Sequence, residues 1–390
     1  MTFCQISKEE FLKHCRQVKE KSFFQSEEMS VLLTKRGYDI RLVGYRNAES
    51  EVVISSLLFC KSMVGGLYME LNSGPLITDE TYLGAFYQSL KNYAKSEGVL
   101  ELVIKPFQTY QIFDSFGKPA SQENAHLINL LEKCDFQHDG FQTGYPNGEP
   151  VWHYVKDLQG YSSTSLLQSY NKNSIRNIKN AEDYSVIIRS ISKNELSDFK
   201  KIIEETGIRQ GFLDKDLDYY DALFEVFGKR ADFMVAELDI QNSLSQIDNK
   251  LNTIDTNLKQ YKQKQQKLLK QREILQSILR QTSSSILLLA CTLIIYDDHE
   301  ATYLFGGSYS EFQRLSAPFL LQYKAMLQAM SRNIYHYNFL GIQGIFDGSD
   351  GVLRFKQNFN GYILRKAGTF RYYPYPIRYK ILQIIKKIVK

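Results

Sequence analysis

The chain is poor in the residues that hold disulfides, metals and prosthetic groups. Its five cysteines (Cys4, Cys15, Cys60, Cys134, Cys291) contain no C-x-x-C pair and are odd in number. That usage suits reduced, mostly buried thiols rather than a disulfide framework. The six histidines show no H-x-x-x-H spacing, and Cys134 and His138, four apart, lack further ligands, so no metal site is expected. Long apolar runs are missing too. The longest, Ile286–Tyr296 (ILLLACTLIIY), is too short to span a bilayer, and the N-terminus has no signal-peptide pattern, so a cytoplasmic protein is expected. Extreme charge is also absent. A net charge of +5 permits an anionic partner without demanding one.

Aromatic residues are plentiful instead, with 26 Tyr and 24 Phe among 390 residues, enough chain for two ordinary cores. One stretch stands apart. Leu244, Ile247, Leu251, Ile254, Leu258, Tyr261, Gln265, Leu268, Arg272, Leu275 and Leu279 alternate spacings of three and four without Gly or Pro, the seam of a left-handed coiled coil. The runs before and after it, Phe233–Leu238 and Ile286–Tyr296, read as buried strands. Adjacent strands need their connection to return, so the stretch is expected to be an antiparallel helical hairpin, turning within Lys262–Gln266 where Gln265 weakens the seam. Lys259–Arg272 holds six Lys/Arg and no acid, including Lys262, Lys264, Lys267 and Lys270. That half is either a solvated strut or a surface for a polyanion, and a tRNA fits its length and charge.

Around the hairpin one order of elements occurs twice. Helices at Lys8–Lys21 and Phe23–Arg36 precede strands at Ile40–Tyr45, Val52–Cys60 and Gly66–Leu71, a helix at Thr81–Glu97 and a strand at Leu100–Ile104. The second series has helices at Leu196–Glu205 and near Tyr219–Phe227. Strands at Phe233–Leu238, Ile286–Tyr296 and Ala301–Phe305, a helix at Ala317–Ser331 and a strand at Tyr335–Leu340 complete it. Such duplication implies two similar α/β domains with a cleft between them. The order resembles the GNAT acyltransferase fold, of α/β (α+β) class. GNAT members that use acyl-CoA carry a Q/R-x-x-G-x-G/A loop for the pyrophosphate. Neither half has it, Gly306-Gly307-Ser308 being only a glycine-bearing turn, so acyl-CoA is not the expected donor and no cofactor is implied.

Eight stretches in sequence order carry a closer resemblance. They are Gln25-Ser26, Leu71-Asn72-Ser73-Gly74-Pro75-Leu76, Lys156-Asp157-Leu158, Asn173 to Ala181, Glu205 to Arg209, Tyr303 to Ser308, Tyr337 to Ile342 and Phe355 to Gly361. Together they resemble the Fem (FemABX) family of peptidoglycan bridge-forming aminoacyltransferases, and the arm-bearing MurM/MurN branch most. The resemblance implies transfer of an amino acid, alanine or serine, from an aminoacyl-tRNA to an amine of the stem peptide of lipid II or a UDP-linked precursor. It also implies roles. Phe355-Lys356 matches the family's pair near the tRNA 3′ end, with Lys356 carrying developing negative charge and Phe355 offering an aromatic face. Lys35, Tyr38 and Arg209 match positions that bind the precursor. Lys105-Pro106 stands where some members have Asp-Pro, so no carboxylate base is nominated there.

Two features lie outside those stretches. Lys172, Arg176 and Lys179 share one helix face, suited to tRNA backbone or to plain solvation. The tail Pro376–Lys390 (PIRYKILQIIKKIVK) is basic and amphipathic, either capping the first domain or touching a membrane. The expected organisation is a first domain at 1–150, a second at 151–238 and 284–364, the hairpin at 239–283 and a basic segment at 365–390. Two rival readings keep parts of this plan: an acyl-CoA-dependent N-acyltransferase on a small amine, and a non-catalytic tRNA-binding protein.

Overall fold

The computed structural model describes residues 1–146, 150–255, 260–282 and 284–389. Two mixed sheets form the frame, each with eight strands among the described residues. In the first, β1 (Thr2–Gln5), β2 (Asp39–Arg46), β3 (Val52–Met63) and β4 (Gly66–Asn72) pair antiparallel, and β6 (Val99–Lys105) joins β4 in parallel. The short β5 (Leu76–Ile77) pairs with β3, while β16 (Phe370–Tyr372) and β8 (Gln137–His138) close the far edge. In the second, β10 (Ile187–Ser190), β11 (Ala231–Asp239), β12 (Ile286–Tyr296) and β13 (Glu300–Ser308) are antiparallel, and β14 (His336–Ile342) joins β13 in parallel. Then follow β9 (Trp152–Asp157), β15 (Tyr362–Lys366) and β7 (Thr109–Phe113). The repeat read from the sequence is thus a repeat of topology: four antiparallel strands, then a parallel partner, in both halves.

Helices α1 (Lys8–Gln17), α2 (Glu27–Lys35), α3 (Leu83–Ser96) and α4 (His126–Lys133) belong to the first half. Local chemistry sets their ends. Ser7 and Glu10 form a capping box on α1, Ser26 caps α2 through the Met29 amide, and Gly37 at φ +81° turns the chain away. Ser26 also splits the predicted Phe23–Arg36 helix, leaving Phe23–Gln25 as a single 3₁₀ turn. The second half carries α5 (Ser163–Gln168), α6 (Lys172–Asp183), α7 (Leu196–Gln210), α8 (Leu217–Phe227), α11 (Ala317–Ser331) and α12 (Gly351–Gln357). The last helix, α13 (Pro376–Val389), follows β16.

The halves share a core. Phe11, Leu32 and Leu57 from the first pack in one cluster with Phe199, Tyr220, Phe233 and Cys291 from the second. Arg230 fastens the seam, pairing with Glu28 at 2.7 Å and Asp297 at 2.9 Å. Strands are also exchanged: β7 sits beside β15 in the second sheet, and β16 returns to β6 in the first. A cut at residue 150 therefore leaves one early strand in the later sheet.

Between β11 and β12 the chain makes two helices, α9 (Ile240–Asn252) and α10 (Tyr261–Gln281), packed against each other. The predicted turn at Lys262–Gln266 is instead helical. Helix α9 ends at Asn252 and α10 begins at Tyr261; Thr253, Ile254 and Asp255, just after α9, are weaker helix formers than the Lys and Gln residues of 262–266. Leu258 lies outside the described residues. Along α10 the buried positions are Leu268, Gln271, Leu275 and Ile278, so the seam runs one residue off the predicted Arg272 and Leu279. Arg272 is half-buried and pairs with Asp248 at 2.9 Å. The seam is offset because α9 and α10 also pack on the body: Ile247, Leu268 and Leu275 join the core of the second sheet.

Candidate functional site

Lys356 rides on α12, whose N-terminus Asp350 caps by accepting from the Val352 and Leu353 amides at 2.9 and 3.1 Å. The helix faces a break in β14. Pairing with β9 slips between Asn338 and Gly341, and Leu340 adopts φ +55°. The Asn338 side-chain oxygen fixes that kink by accepting from the Leu340 amide at 2.7 Å. Two carbonyls thereby point at one side chain: Lys356 Nζ donates to Phe339 O and Gly341 O, both at 2.6 Å. Lys356 is buried, and burial pushes its pKa down to about 7, Asp350 opposing the shift. Phe355 beside it is half-buried and edge-on to Phe319 at 5.1 Å and Phe359 at 5.5 Å.

The kinked strand also lines a cleft between the sheets, of which Lys356 is not a lining residue. Asn72, Ser73, Lys105 and Pro106 line it from the first, and His153, Glu300, Thr302, Asn338, Leu340 and Lys366 from the second; its volume is about 70 Å³. A polar chain crosses its floor. Asn338 Nδ2 donates to Glu300 at 3.0 Å and to His153 Nδ1 at 3.2 Å, which leaves His153 Nε2 as the donor to Pro150 O at 3.3 Å. Burial pushes the His153 pKa down to about 3, so the ring is neutral at physiological pH. Lys366 donates to Phe107 O at 2.8 Å, and burial lowers it to about 8 against the pull of Glu300. Lys105 pairs with Glu70 at 2.9 Å. His153, Glu300 and Lys366 carry no signal in the sequence, because they come from strands far apart in the chain with no fixed spacing. Asn72, Ser73 and Asn338 do lie in the family-like stretches.

The predicted precursor contacts sit elsewhere. Lys35 ends α2 and pairs with Glu225 of α8 at 3.0 Å. Lys193 shares that carboxylate, and the two cations hold it down at about 2. Arg36 spans the rings of Tyr38 and Tyr219 at 5.6 and 5.1 Å, and Tyr38 meets Phe59 edge-on at 5.2 Å. Arg209, at the end of α7, donates to Ser308 O at 2.9 Å and Ser310 Oγ at 2.6 Å. Gly306 and Gly307 are not a turn but part of β13. A Cβ on Gly307 would lie 2.7 Å from Ile202 O, so glycine is there to let α7 press onto the strand.

Basic side chains converge on a second face. Lys172, Arg176 and Lys179 of α6 and Lys267 of α10 line a groove of about 530 Å³ together with Asp183, which pairs with Lys267. Lys262, Lys264 and Lys270 are exposed on α10 outside the lining of the groove. The groove is tied to the Lys356 helix. Asn358, just past α12, accepts from Asn171 at 3.1 Å and Asn173 at 2.8 Å at the start of α6. No group of three or more metal-binding side chains occurs among the described residues.

Comparison with known proteins gives the family and the fold. The FemAB family model matches residues 6–387. Aminoacyltransferase FemB of Staphylococcus epidermidis is 26% identical, the match covering 95% of this chain and 94% of FemB. Aminoacyltransferase FemA of Staphylococcus epidermidis is 24% identical over the whole of both chains. The crystal structure of FemX has the same fold, with a TM-score of 0.79 at 19% identity, covering 98% of this chain and 99% of FemX. With a family model that matches nearly its whole length and aminoacyltransferase relatives that match end to end, the chain belongs to the FemAB family and is an aminoacyltransferase.

Proposed function

We propose that the protein transfers an amino acid, alanine or serine, from aminoacyl-tRNA to the stem-peptide amine of a peptidoglycan precursor, lipid II, and so builds the interpeptide bridge. The observation that carries this reading is the basic groove of α6 and α10, hydrogen-bonded at its base to the helix that bears Lys356. Four cations against one carboxylate suit a phosphate backbone. The 3′ end of a tRNA held there would have a short path to Lys356.

The chemistry asks little of the protein. An aminoacyl ester is already activated, so the amine needs orientation and the tetrahedral oxyanion needs stabilising. The amine nitrogen bonds to the ester carbon, the bond to the ribose oxygen breaks, and that oxygen leaves with the proton the amine gives up. In its ammonium form Lys356 has three N–H groups, and the carbonyls of Phe339 and Gly341 take two, which leaves one for the oxyanion. Lys35, Tyr38 and Arg209 would hold the precursor, Arg209 suiting a phosphate.

Incubating the protein with lipid II and a pool of charged tRNAs, then weighing the product, tests the reading. A mass gain of one amino acid that disappears after ribonuclease treatment is expected. Transfer from acyl-CoA in place of charged tRNA would contradict it.

A further inference from the structure

The last helix presents its apolar side to the outside. Ile377, Ile381 and Ile384 are 74%, 52% and 58% exposed, and Val64 at the β3–β4 hairpin tip is 78% exposed. At about 100° per residue the three isoleucines fall within about 60° of one another, with Arg378 and Lys380 on opposite sides of the stripe. The other side of α13 is fixed to the body. Leu382 packs on Gly65, so closely that a Cβ there would come within 2.5 Å of it. The Tyr379 hydroxyl reaches Glu101 at 3.4 Å, and the Tyr375 hydroxyl donates to Lys95 O at 2.9 Å. A helix that only capped the first sheet would turn its isoleucines inward.

We propose that α13 and the β3–β4 hairpin tip seat the protein on an anionic phospholipid surface. The charge pattern selects this occupant. Residues 376–390 contain Arg378, Lys380, Lys386, Lys387 and Lys390 and no acid. An apolar stripe with a cation on each flank fits a planar boundary, where acyl chains meet the isoleucines and phosphates meet the flanks. No described helix is long and apolar enough to cross a membrane, so the helix lies on the surface.

Register places this seat near the proposed acceptor contacts, and that part rests on the substrate proposed above. Asp39, next to Tyr38, pairs with Cys60, and three residues on Met63 pairs with Gly66 at the hairpin end. The rings of Tyr38, Phe59 and Tyr68 touch in series, with the Lys61 ammonium over Tyr68. Lys35 and Tyr38 therefore lie at the same end of the first sheet as α13. A protein seated there would bring them towards the headgroup of a lipid-linked acceptor.

The test is co-sedimentation of the full chain with vesicles of phosphatidylcholine alone or mixed with phosphatidylglycerol. Binding only to the mixed vesicles, weakened by salt, is expected. Ile377→Asp, Ile381→Asp and Ile384→Asp together should lower it at least tenfold with unchanged circular dichroism. Arg378→Gln with Lys380→Gln should lower it several-fold. Equal binding to both vesicle types, or full binding by the triple variant, overturns the proposal. So does a parent that ignores vesicles and pairs with itself through this face, becoming monomeric in the triple variant. With a water-soluble precursor analogue the triple variant should turn over normally, and with vesicle-embedded lipid II it should slow. If neither acceptor is used at all, the substrate reading fails while vesicle binding still decides the lipid seat.

Discussion

Lys356 has its pKa lowered from 10.5 to about 7 by burial. A folded value below the unfolded one means that between about pH 7 and 10.5 the unfolded chain holds a proton the folded one has released. The penalty for burying this ammonium is thus complete below pH 7 and fades as pH rises. Lys356→Met removes that dependence along with two hydrogen bonds, so the stability of the parent relative to the variant should rise between pH 6 and pH 10. Thermal unfolding across that range measures it, and a pH-independent difference contradicts the burial argument. Turnover by the variant should fall by ~10²-fold, the scale of losing one oxyanion donor. Near-normal turnover at saturating tRNA and acceptor would remove Lys356 from the chemistry. Lys356 is legible in the sequence because it stands in a recognisable stretch. The carbonyls that hold it are not, since they depend on a kink in β14 that neither hydrophobic pattern nor Gly-Pro punctuation announces.

Among elements, helices and strands with clear periodicity fall where the sequence puts them, as α11 and β12 do to the residue. Misreadings come where one residue type serves two ends. Gln265 looks like a break because it is polar in a seam, yet glutamine is a good helix former and α10 runs through it. Gly306-Gly307 looks like a turn because glycine often marks one. Here it serves close approach, and that predicts a cost. Gly307→Ala would set its Cβ 2.7 Å from Ile202 O and 2.8 Å from Thr206 Oγ1. A backbone oxygen cannot swing aside as a side chain does, so α7 must lift, at roughly 1–3 kcal/mol. A lowered denaturant midpoint with an unchanged slope is expected. An unchanged midpoint would mean that α7 and β13 are not tightly apposed.

For the molecule as a whole, the duplication is legible but the exchange of β7 and β16 between sheets is not. Both are short strands, of five and three residues, whose partners lie far along the chain. Such pairing leaves no local trace. The exchange matters because the route from groove to cleft crosses the second half, while the proposed acceptor contacts Lys35 and Tyr38 belong to the first. The proposed function turns on a tRNA that lies along the α6–α10 groove and delivers the donor. Reversing Lys172, Arg176, Lys179 and Lys267 to Glu tests this, by titrating full-length tRNA over a range of salt. Every phosphate the variant no longer neutralises flattens log K against log salt by nearly one unit, so a slope change of roughly one to three is predicted. Transfer from a short aminoacylated acceptor-stem mimic should meanwhile stay near normal. Full-length tRNA binding with unaltered affinity and salt dependence would contradict the assignment of the groove to tRNA.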